Sequence, residues 1–213
     1  GESRVNYSAQ IFDKTEIINL VDCALSGKIA SGDWVEQFEA KLRAFFKSRD
    51  AILVNSGSSA NLLMIATLCA DSVEGHLNRG DEVITPGLGF PTTLSPLIQY
   101  GLVPVLVDID PETYNPRPED IEAAIGLRTR AIFLPHPMGF PFDVSAVMDI
   151  CKRRGLWMLE DNCLAEGTKV ATPGGEKSIE DVRPGDLVAT RSGYRKVLAA
   201  EMTGIKEVIT RIG

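Results

Sequence analysis

The sequence predicts an α/β fold with a mostly parallel sheet, followed by a segment built only of short β-strands. Up to residue 162, helical patterns alternate with short apolar runs. These runs are continuous rather than alternating, as expected for strands that are buried on both faces. After residue 162 the helical periodicity stops, and runs of Val, Ile and Thr alternate with the turn sequences PGG, RPGD, RSG and TG.

The first part of the chain begins with two helical patterns. Residues 14–26 (KTEIINLVDCALS) and 33–47 (DWVEQFEAKLRAFFK) carry apolar side chains at intervals of three and four residues. Each segment therefore presents one apolar face, and we predict a helix over each range.

Apolar runs of strand type follow, separated by helical patterns: AILVNS from residue 51, EVIT from 82, VPVLVDI from 103, AIFLPH from 131 and LWMLED from 156. In parallel sheets of this kind, ligands bind beyond the carboxyl ends of the strands. We therefore expect NSGSSAN, TPGLGF and LEDN, which follow three of these runs, to converge on one pocket.

Gly57 and Ser58 lie between the first apolar run and the next helical pattern. Free backbone N–H groups at a helix start, beside a glycine and hydroxyl groups, form an anion site suited to phosphate. The alternative is a plain helix N-cap, which binds no ligand.

Phe90, His136 and Asp161 each follow an apolar run. An exposed ring at Phe90 would stack on a flat cofactor, whereas a core phenylalanine is the alternative. The Asp161 carboxylate is costly to bury without a cationic partner, such as a protonated pyridine nitrogen. His136 either lines the pocket or is a hydrogen-bonded structural histidine.

Composition narrows the classes of function. The net charge is -7 and the pI is about 5.0, with Lys and Arg scattered along the chain, which argues against nucleic-acid binding. There is no apolar run long enough for a membrane span and no signal peptide, so we expect a cytoplasmic protein. The four cysteines lack metal-type spacing, so no metal site is predicted. The absence of GxGxxG argues against a nicotinamide-binding domain.

Residues 5–163 resemble the DegT/StrS sugar aminotransferase family of fold type I pyridoxal phosphate enzymes. The resemblance rests on NSGSSANLL, DEVITPGLGFPTTLSPLIQYGLVPVLVDID and LWMLEDNC, which occur in order and at matching separations. It is strongest to the nucleotide-sugar 3-dehydrases, such as CDP-4-keto-6-deoxy-D-glucose 3-dehydrase. The implied function is deoxysugar formation for surface polysaccharide by a homodimer, and a sugar aminotransferase is the alternative.

The resemblance implies pyridoxal 5'-phosphate or pyridoxamine 5'-phosphate as the cofactor. It implies that Gly57 and Ser58 bind the phosphate, that Phe90 stacks on the pyridine ring and that Asp161 pairs with the ring nitrogen. At Phe140 the chain departs from the family's HTLGNPFD, which leaves the substrate contact near that loop undetermined.

Residues 163–213 resemble the N-terminal block of an intein, a domain of the Hint type. The resemblance rests on Cys163, on the opening CLAEGTKV and on IEDVRPGDLV. It implies that the Cys163 thiol attacks the Asn162 carbonyl during protein splicing. The predicted domains are therefore 1–162 and 163–213. The alternative is a continuous protein whose β segment is a non-splicing binding module with an inert Cys163.

Both resemblances imply parts that residues 1–213 do not contain. An intein also needs a Thr-x-x-His block and a terminal His-Asn pair, and the enzyme needs a Lys or His at its Schiff-base position. The 3-dehydrases also carry cysteines for an iron–sulfur cluster. We therefore expect an N-terminal fragment that is catalytically incomplete alone and that pairs with a complementary C-terminal intein portion.

Overall fold

The computed structural model describes residues 14–27, 32–137, 141–162, 169–178, 182–183, 185–190 and 193–196. The chain divides into two compact units, Gly1–Leu53 and Val54–Gly213.

In the first unit the described residues form helices α1 (Lys14–Leu25) and α2 (Asp33–Phe46), which confirms both predicted helices. Helix α2 ends where Lys47 adopts the left-handed conformation, with φ at 50°, and donates its N–H to the carbonyl of Arg43. Neither helix contains a fully buried residue.

The second unit alternates helices and strands through residue 161, as the sequence predicts. In chain order the elements are α3 (Gly57–Leu68), β1 (Glu82–Pro86), α4 (Pro91–Gln99), β2 (Val103–Val107), α5 (Pro118–Ala123), β3 (Thr129–Pro135), α6 (Val144–Arg154) and β4 (Trp157–Asp161). Within the part of the chain that the structure describes, no helix is long and apolar enough to cross a membrane.

Strands β1 to β4 form a parallel sheet in the order β2-β1-β3-β4. A helix follows each of the first three strands and returns the chain to the same edge of the sheet, which makes the pairing parallel. The register places Pro135 opposite Asp161, so the carboxyl ends of β3 and β4 are level. The predicted parallel sheet is thus confirmed.

Helices cover both faces of this sheet. Neighbouring residues of a strand point to opposite faces, and Ile132 and Phe133 of β3 are both fully buried. Phe133 belongs to a cluster with Ile65 of α3 and Leu97 of α4, whereas Ile132 belongs to a cluster with Val147 of α6. Each such side chain stabilises the fold by roughly 2 kcal/mol through the apolar surface it removes from water.

The strand predicted for the run that begins at residue 51 is wrong. Ile52 and Leu53 are 69% and 42% exposed, and no strand includes them. The N–H of Leu53 donates to Oε1 of Glu39 at 2.8 Å rather than to a neighbouring strand. A strand requires a pairing partner, and no strand among the described residues pairs with this segment.

After β4 the described residues form two antiparallel hairpins, which confirms the predicted all-β character. Strand β5 (Lys169–Thr172) pairs with β6 (Gly175–Ser178), and β7 (Leu187–Thr190) pairs with β8 (Gly193–Lys196). In the first turn, Thr172 Oγ1 donates to the carbonyl of Gly175 at 2.6 Å.

A charged contact joins the first hairpin to the loop that precedes β7. Nζ of Lys177 lies 2.6 Å from Oδ2 of Asp186, which also accepts the N–H of Arg183 at 2.7 Å. The hydrogen bond from Lys177, and then the one from the N–H of Arg183, lower the pKa of Asp186.

Candidate functional site

The site is built where α3, α4 and β4 meet at the carboxyl end of the sheet. Asp161 is the last residue of β4, and its Oδ2 accepts two hydrogen bonds. Nδ2 of Asn61 in α3 donates at 2.8 Å, and Oγ1 of Thr93 in α4 donates at 2.7 Å. Two of the three segments that the sequence predicts to converge, NSGSSAN and LEDN, thus meet at one carboxylate. The other donor, Thr93, lies three residues after the third segment, TPGLGF.

Asn61 and Thr93 are each only 3% exposed, and Asp161 is half-buried. Nδ2 of Asn61 also lies 3.3 Å from the carbonyl of Thr92, at the start of α4. No described residue donates a hydrogen bond to Oδ1 of Asp161, which leaves that oxygen for a ligand. Sequence reasoning did not identify Asn61 or Thr93, because each lies in a helical pattern far along the chain from Asp161.

The N-terminus of α3 presents backbone N–H groups to open space. Oγ of the N-cap residue Ser56 accepts the N–H of Ser59 at 3.2 Å. The N–H groups of Gly57 and Ser58 have no acceptor among the described residues, and both residues are exposed. A Cβ built on Gly57 would meet nothing within 4 Å. The capping role therefore belongs to Ser56, and Gly57 and Ser58 remain available to an anion.

Phe90 is the N-cap residue of α4, with φ at -78° and ψ at 140°. Its side chain is 59% exposed, so it is not a core phenylalanine. The ring lies three residues before Thr93, which places it on the helix start that contacts Asp161. An exposed ring in this position is available for stacking.

His136 points to the other face of the sheet from Asp161. The residue is 7% exposed, its Nε2 lies 3.0 Å from Oε2 of Glu160, and its ring stacks on Phe142 at a centroid distance of 4.6 Å. Its backbone N–H donates to the carbonyl of Asp161 at 3.1 Å. The structure therefore supports the hydrogen-bonded structural histidine, which ties the end of β3 to β4.

Asn162 directly follows β4 and is exposed. Cys163 lies outside the described residues, as does Phe140. Two other thiols are poor nucleophiles, since burial raises the pKa of Cys151 to about 12, and burial and then the charge of Asp81 raise the pKa of Cys69. Among the residues that the structure describes, no cluster of His, Cys, Asp and Glu could hold a metal ion.

The profile of the DegT/DnrJ/EryC1/StrS aminotransferase family matches residues 10–180. The chain belongs to this family. The Hint domain profile matches residues 162–207, so the second match begins where β4 ends and overlaps the end of the first. Both resemblances predicted from the sequence are thereby confirmed at the level of family and domain.

Two curated members of the family are similar to the chain. The dTDP-4-dehydro-2,6-dideoxy-D-glucose 3-dehydratase of Saccharopolyspora spinosa is 45% identical over 169 residues, which are 79% of this chain and 37% of the relative. The lipopolysaccharide biosynthesis protein RfbH of Salmonella typhimurium is 41% identical over 169 residues, 79% of this chain and 39% of the relative. The chain spans about two fifths of the length of these relatives.

Solved structures of the family share the fold of most of the chain. The GDP-4-keto-6-deoxy-D-mannose-3-dehydratase of E. coli with bound hydrated PLP has a TM-score of 0.70 at 35% identity, over 78% of this chain and 43% of that protein. NtdA of Bacillus subtilis with bound PMP has a TM-score of 0.63 at 34% identity, over 70% of this chain and 33% of that protein. The predicted fold class is confirmed, and pyridoxal or pyridoxamine phosphate is the cofactor carried by these neighbours.

Proposed function

We propose that residues 1–162 are the N-terminal part of a nucleotide-sugar dehydrase that uses pyridoxal or pyridoxamine phosphate in deoxysugar biosynthesis. Residues 163–213 are then an N-terminal intein segment that interrupts the enzyme after Asn162. The observation that carries the enzyme assignment is the Asp161 carboxylate, held by α3 and α4 with Oδ1 free of described donors. A nucleotide-sugar aminotransferase is the alternative within the same family.

The residues present fit the chemical parts of the cofactor. The unpaired N–H groups of Gly57 and Ser58 suit a phosphate, and the exposed ring of Phe90 suits a pyridine face. The Asp161 carboxylate suits a protonated ring nitrogen. When bound, the cofactor supplies an electron sink for chemistry at the sugar. These residues bind and orient it, and Asp161 keeps the nitrogen proton in place.

The rest of the active site is proposed to come from polypeptide outside residues 1–213. The matched relatives are more than twice as long as the aligned segment. We propose that the complete enzyme is a homodimer and that its Schiff-base position lies in the part contributed after splicing. Residues 1–213 alone should therefore bind the cofactor weakly.

A cofactor titration tests this proposal. Pyridoxamine phosphate fluorescence should show weak, saturable binding to residues 1–213, and Asp161→Ala and Phe90→Ala should each weaken it by about tenfold. Leu127→Ala, which removes a side chain that is 97% exposed, is the control and should change nothing. Borohydride reduction with pyridoxal phosphate should leave no stoichiometric pyridoxyl-lysine. One stoichiometric pyridoxyl-lysine would contradict the proposal that the Schiff-base position lies outside residues 1–213, and unchanged binding by Asp161→Ala would contradict the proposed cofactor contact.

The proposed splicing step begins with the Cys163 thiolate. Its sulfur attacks the carbonyl carbon of Asn162, the C–N peptide bond breaks as the C–S thioester bond forms, and the released amine of Cys163 takes up a proton. A nucleophile at the start of the partner's enzyme segment then displaces this sulfur. We expect the partner's intein to end in Asn and its enzyme segment to begin Cys-Asp-Ala-Leu-Gly, which would place a new cysteine after Asn162.

Thiol-induced cleavage tests the intein assignment. Added dithiothreitol should release residues 1–162, identified by mass, and a complementing C-terminal intein half should give ligation at Asn162. Cys163→Ala should abolish both reactions, whereas Cys23→Ala, which removes a thiol from α1, should abolish neither. Cleavage that persists in Cys163→Ala, or its absence in the unsubstituted chain, would favour the non-splicing β module.

A further inference from the structure

Two donors from separate helices meet on a single oxygen of Asp161. Asn61 lies 100 residues before Asp161 and Thr93 lies 68 residues before it, yet both donate to Oδ2, at 2.8 Å and 2.7 Å. Both donors are buried, with 3% exposure. Oδ1 receives no hydrogen bond from any described residue. Among the described residues the carboxylate is therefore asymmetric, because Oδ2 accepts two hydrogen bonds and Oδ1 accepts none.

This asymmetry fixes the orientation of the carboxylate. The terminal torsion of an aspartate side chain is soft and broadly distributed, so a single donor leaves the carboxylate plane free to turn. Donors from two helices that approach the same oxygen restrict that rotation. Both donors are also neutral, so they hold the carboxylate without placing a positive charge beside it. An arginine or lysine partner would add such a charge.

We propose that Asn61 and Thr93 are positioning residues that hold Oδ2 of Asp161 and thereby leave Oδ1 available to the pyridine nitrogen of the cofactor. This inference rests on the proposed function. It adds that Asp161 keeps the ring nitrogen protonated only when Asn61 and Thr93 hold its carboxylate in a fixed orientation. All three residues precede Asn162, so the arrangement forms in the unspliced chain.

The test uses pyridoxamine 5'-phosphate labelled with ¹⁵N at the pyridine nitrogen, at saturating concentration with the 213-residue chain. The nitrogen shift reports protonation directly and requires no turnover. In the unsubstituted chain the nitrogen should stay protonated to a higher pH than in free solution. Thr93→Val and Asn61→Leu should each lower that pH midpoint and weaken binding by about tenfold, since each removes a hydrogen bond to a charged group.

Matched variants separate positioning from packing. Thr93→Ser keeps the hydroxyl and should behave as the unsubstituted chain, whereas Thr92→Val makes the same chemical change one residue earlier and should have no effect. Circular dichroism and urea unfolding identify any variant that fails to fold. A folded Thr93→Ser protein with the same lowered midpoint as Thr93→Val would show that the hydroxyl is not responsible.

The outcomes also distinguish this inference from the proposed function. If Asp161→Asn abolishes the protonation but folded Thr93→Val and Asn61→Leu retain it, the positioning role is wrong and the cofactor contact stands. If the unsubstituted chain leaves the nitrogen shift at its free-solution value, the cofactor contact is wrong, and the positioning role falls with it.

Discussion

Burial determines which thiols of this protein can react. Cys151 of α6 is 3% exposed and belongs to the buried apolar cluster that contains Ile132 and Val147. Burial raises its pKa to about 12. Because the raised pKa favours the neutral thiol, the thiolate is absent at neutral pH and forms only as the pH approaches 12. Only the thiolate is a strong nucleophile, so Cys151 is a poor nucleophile at pH 8.

We therefore predict that iodoacetamide at pH 8 leaves Cys151 unmodified in the folded protein. Cys69 should react more slowly than Cys23, since burial and the charge of Asp81 raise the pKa of Cys69. Peptide mapping by mass spectrometry with and without guanidinium measures these rates, and all the thiols should react once the chain is unfolded. Equal labelling of Cys151 and Cys23 in the native state would contradict this prediction.

At the candidate site, the sequence identifies residues that stand at or just after the end of an apolar run. Phe90 follows and Asp161 ends an apolar run that forms a strand of the sheet, and Gly57 begins α3 after a run that forms no strand. The structure brings α3, α4 and β4 together at Asp161. Asn61 and Thr93 carry no such signal. A polar residue inside a helical pattern is expected to face water, and only the fold shows that its partner is an aspartate many residues away.

At the level of elements, periodicity predicts helices and buried strands well but does not predict pairing. The four strands that form have apolar residues on both faces and neighbours in the sheet. The run from residue 51 has the same composition, yet Ile52 is 69% exposed and no strand is formed there. A strand forms its backbone hydrogen bonds with a partner strand that its own sequence does not encode, whereas a helix forms most of its backbone hydrogen bonds internally.

Helix α6 offers a direct test of local capping. Asp143 is its N-cap residue, and Oδ1 accepts the N–H of Ala146 at 2.9 Å. We predict that Asp143→Ala lowers the free energy of unfolding by about 1 kcal/mol, because it leaves an N–H at the helix start without its acceptor. Asp143→Asn retains an acceptor oxygen and should lose only a few tenths of a kcal/mol. Urea unfolding measures both values, and equal losses would show that the cap bond is not the cause.

At the scale of the whole molecule, the first unit exposes unusual amounts of apolar surface. In α1 none of the residues is buried, and Ile18, Leu20 and Leu25 are 54%, 66% and 79% exposed. The helical periodicity of this segment is amphipathic, which predicts an apolar face but not what covers it. Contiguous exposed apolar surface of this kind favours association with other apolar groups.

We predict that the 213-residue chain binds a hydrophobic dye and self-associates through α1. Leu20→Lys should lower dye fluorescence and shift the sedimentation profile towards monomer, because it replaces an exposed apolar side chain with a charged one. The melting temperature should change by less than about 2 °C, since Leu20 packs in no buried cluster and lysine is a good helix former. Asn19→Lys is the control, because it adds the same charge one residue earlier without removing apolar surface. If both substitutions reduce self-association equally, charge repulsion is the cause, and the apolar face of α1 is not the surface that associates. A monodisperse monomer of the unsubstituted chain would contradict the prediction.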